Sequence, residues 1–166
     1  MSVYQRLFNQ HLSSAQEILA ELAREGLRPS LKRALEHSAL HLLKSAYLCH
    51  LRAIADSYGC ADAAEMTDID ALLSALTAID KPAPEAAEIA VLLKEGWLGS
   101  FLNAQQQLCL PASLRGVAPP PPAVSQSAIA LRDDRDEPAP DADKLYSWLL
   151  VLEELVQRQG EMMQEY

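Results

Sequence analysis

The sequence predicts an all-α fold: a bundle of four or five helices, with a long central second helix and a proline-rich crossover before the last one. Three observations carry this expectation. Hydrophobic residues make up 49% of the 166 positions but aromatics only 5%, and the apolar content is dominated by Leu and Ala. These two residues favour helices, and the β-branched and aromatic residues that favour strands are scarce. Apolar residues recur at three- and four-residue spacing, the period of a helix with one buried face. Helix start and stop signals separate the periodic stretches, among them Ser2, Gly26, Gly59 and Asp141. A chain of this length fits a single domain, 1–166, able to bury about two-thirds of its unfolded surface.

The first helix is expected from Val3 to Glu25, opened by a capping box of Ser2 and Gln5 and ended by Gly26. At 100° per residue, Leu7, Ile18, Tyr4, Leu22, Ala15, Phe8 and Leu19 share its apolar face. The second helix runs from Pro29 or Ser30 to Tyr58, roughly 40 Å, and Gly59 stops it. Leu31, Leu35, Leu42, Ala46, Cys49 and Ala53, with Leu40, Leu43, Tyr47, Leu51 and Ile54, give it a very wide apolar arc. A helix wetted only along a narrow strip packs against two or more neighbours.

Asp62-x-x-Glu65 and Thr67-x-x-Asp70 then open a brief turn and a helix from Ile69 to Ile79. Pro84 suits the first position of a further helix reaching Leu108, with Gly96 and Gly99 marking a kink or a close approach. Seven of the ten prolines fall between 111 and 140, a span that also holds a charge run at 132–137, so this stretch reads as an extended connection. Asp141 caps the last helix, Ala142 to Gln164. Its stripe of Leu145, Trp148, Leu152, Leu155 and Met162 is interrupted by Gln159. Either the stripe packs back onto the first two helices, or Trp148, Leu152 and Leu155 form a self-association seam.

Charge and cysteine usage exclude several classes. The net charge is −9, and nucleic-acid binding depends on Lys and Arg neutralising phosphates, which argues against that partner. No apolar run approaches the roughly 20 residues that span a bilayer, and the first residues lack a signal-peptide layout. Cys49, Cys60 and Cys109 form no C-x-x-C pair, as expected of free thiols in a cytoplasmic protein.

Four histidines are the main candidates for chemistry. His37 and His41 share a helix face with the spacing of a two-ligand half-site, but the carboxylate of an H-E-x-x-H motif is absent. With Lys44 beside them, they read as a polar surface contact patch. His11 lies near the centre of the first helix's apolar face, and His50 lies next to Cys49. These three are the candidates for a buried polar or ligand site. The residues three before each histidine are Phe8, Ala34, Ser38 and Tyr47, so the Glu-x-x-His motif of di-iron bundles is missing. No phosphate-binding glycine loop or nucleophile elbow occurs, and no catalytic residue, cofactor or metal is expected.

Two resemblances bear on the fold. Helix two, from Arg33-Ala-Leu-Glu-His-Ser-Ala-Leu-His to Ala-Asp-Ser-Tyr-Gly59, together with Asn9-Gln10 before it and Trp148 after it, resembles a family of short, uncharacterised, all-helical bacterial proteins. Helix two also resembles HEPN helical domains, which implies nucleotide binding or ribonuclease activity as the alternative function. Active members of that group carry an Arg followed a few residues later by a His, matched here only by Arg6-Leu-Phe-Asn-Gln-His11. On a continuous helix those two side chains point about 140° apart. The leading expectation is a non-enzymatic bundle acting through protein contacts or as a homodimer.

Overall fold

The computed structural model describes residues 2–109 and 140–164. Among them are six α-helices, one 3-10 turn and no strand: α1 (Val3–Leu22), α2 (Pro29–Ser57), the 3-10 turn Ala63–Glu65, α3 (Ile69–Ala78), α4 (Pro84–Glu95), α5 (Trp97–Cys109) and α6 (Ala142–Gln164). The fold is all-α, with one helix more than the sequence suggests. The connection expected at 111–140, with its charge run, lies outside the described residues except for Pro140.

The extra helix comes from the break at Gly96. Its backbone leaves the helical region (φ −121°, ψ −168°), which splits the expected Pro84–Leu108 helix into α4 and α5. The joint is tight. A Cβ on Gly96 would lie 2.9 Å from the Leu92 carbonyl oxygen, and one on Gly99 only 2.5 Å from that of Leu93. Both glycines are therefore required by close backbone approach.

The other boundaries follow local capping. The Ser2 hydroxyl accepts from the Gln5 amide at 3.3 Å, and the Asp141 carboxylate accepts from the Lys144 amide at 2.9 Å. At α3 the cap is Asp68, not Thr67: its carboxylate takes the Ala71 amide at 2.8 Å while Thr67 donates to Asp68. Helix α2 ends in a Schellman motif. Gly59 adopts φ 77°, its amide bonds to Asp56 O, and the Cys60 amide bonds to Ala55 O. Helix α1 stops at Leu22, earlier than expected, and Gly26 serves the following turn with φ 79°.

Helix α2 touches every other helix, so the expected central element is in place. Its fully buried Leu40, Leu43, Leu51 and Ile54 meet Phe8, Leu12, Ala15 and Leu19 of α1 and the α6 stripe in one hydrophobic cluster. Phe101 of α5 packs edge-on to Trp148 of α6 at 5.5 Å, a contact worth about 1 kcal/mol beyond area burial. The buried face of α1 is centred on Phe8, Leu12, Ala15, Leu19 and Leu22. It is turned about 40° from the expected one, which leaves Leu7 exposed and moves His11 to the margin.

Candidate functional site

The most concentrated polar chemistry in the described interior is a chain of side chains joining α2, α4 and α6. Its members are His50, Gln159, Glu85, Glu88, Arg158 and Tyr58. Gln159, the residue that interrupts the α6 stripe, is fully buried. Its amide nitrogen donates to Glu88 Oε2 at 2.8 Å and to the Glu85 carbonyl at 3.3 Å. Both partners are acceptors, so the amide orientation is determined: its oxygen faces His50, 2.7 Å from Nε2. That contact requires the neutral imidazole to carry its proton on Nε2.

The chain continues to the surface at one end and into the core at the other. Arg158 donates to Glu88 Oε1 at 2.6 Å, with half of the Arg158 side chain exposed. Glu85 is 1% exposed at the start of α4, and its carboxyl accepts from the Tyr58 hydroxyl at 2.8 Å. Phe8 of α1 supplies a ring 6.4 Å from that of His50.

The protonation states follow from these surroundings. Burial lowers the His50 pKa, opposed by the Gln159 hydrogen bond and the nearby Glu85 and Glu88, and the net direction is downward. For Glu88, desolvation pushes upward, but hydrogen bonds from Arg158 and Gln159 and the Arg158 charge win and hold it below the ordinary carboxylate range. His50 is thus a neutral donor at one end of a relay, and Glu88 an ionised acceptor at the other.

The expected site comes together only in part. His50 and Cys49 are buried, but His11 is half-buried at the margin of α1, and Phe8 occupies the place expected for it beside His50. Burial raises the Cys49 thiol pKa, with Arg52 working the other way, which keeps it a neutral thiol, poor as a nucleophile. Among the described residues no hydrogen bond or ion pair joins Arg6 to His11. Of the contact patch, His41 is exposed, His37 is half-buried, and Lys44 reaches α5 to donate to the buried Gln105 at 2.9 Å. Trp148, Leu152 and Leu155 are 4%, 1% and 3% exposed, so within the chain they belong to its own core and present no outward seam.

The Tyr47 hydroxyl is buried without a hydrogen-bond partner among the described residues. Burial raises its pKa, and Asp68 and Asp70 add to the effect, so it stays protonated. Among the described residues no group of three or more His, Cys, Asp or Glu is placed to hold a metal ion. No described helix is long and apolar enough to cross a membrane.

Sequence reasoning located His50 but missed its partners. The available signal was Gln159 itself: one polar residue inside a heptad stripe must find partners or cost several kcal/mol. Glu85 and Glu88 read in sequence only as carboxylates suited to a helix N-terminus.

The described residues thus form an all-helical bundle with a buried polar chain that links α2, α4 and α6. The chain belongs to a family of unknown function, DUF6586, whose family model matches residues 1–166. No curated protein and no solved structure matches the chain.

Proposed function

We propose that the protein is a non-enzymatic, cytoplasmic helical bundle that acts by protein association, with a second copy of itself as the partner. The observation that carries this reading is the outer face of α6. Tyr146 and Leu150 are 52% and 46% exposed, one turn apart on the same side of the helix, while the inner stripe of that helix is fully used in the core. Isolated exposed apolar residues need no explanation. An aromatic and a leucine paired at i and i+4 beside an already complete core are different, because they form a patch that association would cover. The internally paired His50 relay and the neutral Cys49 thiol support the non-enzymatic half of the reading. The free, buried Cys49 and Cys60 support a reducing compartment.

Light scattering from micromolar to millimolar protein tests it. The mass is expected to rise from 18.2 kDa towards twice that value. Leu150→Glu is expected to weaken the association at least about tenfold, equivalent to about 1.4 kcal/mol. A strict monomer throughout that range contradicts the proposal.

A further inference from the structure

The exposed α6 face changes character along its length. Tyr146 and Leu150 occupy its first half, and the exposed Glu154 and Glu161, with the half-buried Glu153 at the edge, continue the same side towards the C-terminus. An apolar surface running into carboxylates calls for a partner that offers an apolar side chain flanked by cations.

The chain itself presents such a surface at the start of α2. Residues 28–34 are all exposed, so the first turns of this helix stand clear of the bundle. They carry Arg28 and Lys32 on the side of Leu31, which is 39% exposed, and Arg33 about 160° further round the helix. None of these three cations forms an ion pair with another described residue. In a chain of net charge −9 this is a local concentration of positive charge. It also stands where cations are unfavourable for the helix itself: α2 has no acidic residue in its first turn and no side-chain cap. Among the described residues nothing accounts for the placement, whereas facing carboxylates would.

The two surfaces lie in the same half of the bundle. Gln159 sits level with His50 through their hydrogen bond. Trp148 meets Phe101 of α5, and Gln105, one turn further along α5, is held by Lys44, which precedes His50 on α2. Helix α6 therefore runs in the same direction as α2, and its first turns lie towards the N-terminal end of α2. Two surfaces at one end of a molecule can be exchanged reciprocally about a two-fold axis, the commonest closed arrangement of identical chains.

We infer that the partner of the α6 face is the N-terminal end of α2 in a second copy, with Leu31 seated against Tyr146 and Leu150 and with Arg28 and Lys32 facing Glu153 and Glu154. This rests on the self-association proposed above and specifies its surface. Complementary charge sets the register, and a like-charged alternative is penalised.

Charge exchange tests it, with full-length protein and sedimentation equilibrium as the readout. Arg28→Glu/Lys32→Glu and, separately, Glu153→Lys/Glu154→Lys are expected to weaken the dimer at least about tenfold. Combining all four substitutions is expected to restore the wild-type dissociation constant. Unchanged thermal melting shows that each variant is folded. A wild-type dimer indifferent to both exchanges, or one weakened by each but not restored by the combination, overturns this inference and leaves self-association standing. A wild-type chain that never dimerises overturns both.

Discussion

Gln159 is the residue on which three helices depend. Its carboxamide satisfies His50 of α2, the Glu85 carbonyl and the Glu88 carboxylate of α4 from a fully buried position on α6. Gln159→Leu keeps the volume but leaves the His50 N–H without its acceptor and removes both donor contacts to α4. The expected cost is about 2–3 kcal/mol, read as a lower urea midpoint at unchanged slope. Making His50→Phe in the same chain is expected to recover part of that loss, because the two groups are coupled.

The depressed pKa of His50 also sets a pH dependence. Below its ordinary value of 6.5 the unfolded chain binds a proton that the folded chain refuses. Stability present above that pH is therefore lost as pH falls towards the lowered folded value, by up to about 1.4 kcal/mol per pH unit. Glu88, whose folded pKa is also lowered, acts in a separate and more acid window, losing its contribution as pH falls below 4.5 through its folded pKa. Urea unfolding across the upper window is expected to show the fall in wild type and a smaller one in His50→Gln, which retains a donor for Gln159. An identical fall in the variant rules out His50 as the source.

At the scale of elements, the sequence was most legible where a boundary has one chemical cause. Asp141 and Ser2 cap as their residue types require, and Gly59 takes the left-handed position that closes α2. The wide apolar arc of α2 likewise identifies it as central, because few other arrangements bury so much of one helix. Less legible were features decided by neighbours. Periodicity places Leu7 and His11 within the α1 face as well as it does Phe8, but packing against α2 selects a face turned towards Leu12. That rotation separates His11 from His50. Nor does one glycine in a helical pattern distinguish a kink from a full break, and at Gly96 the break divides α4 from α5. The contacts at this joint give a sharp expectation. Gly99→Ala drives a methyl against the Leu93 carbonyl oxygen, which neither backbone can yield without opening the α4–α5 angle. A loss of about 1–3 kcal/mol is expected, seen as a lower melting temperature. A neutral effect would show that the joint is looser than this packing.

For the whole molecule, the balance of charge and apolar surface decides how the bundle meets a partner. Trp148, Leu152 and Leu155 are used up in the core, so association falls to the opposite side of α6, which a heptad reading of the inner stripe does not reveal. A periodic pattern shows that a face is buried but not whether the same chain or another one covers it. Methyl NMR of leucine-labelled protein, followed from micromolar to millimolar concentration, separates the two directly. The Leu150 and Leu31 methyl resonances are expected to shift with concentration along a common binding curve, while those of Leu152 and Leu155 stay fixed. Concentration-independent spectra, or shifts confined to Leu152 and Leu155, would contradict association through the outer face of α6.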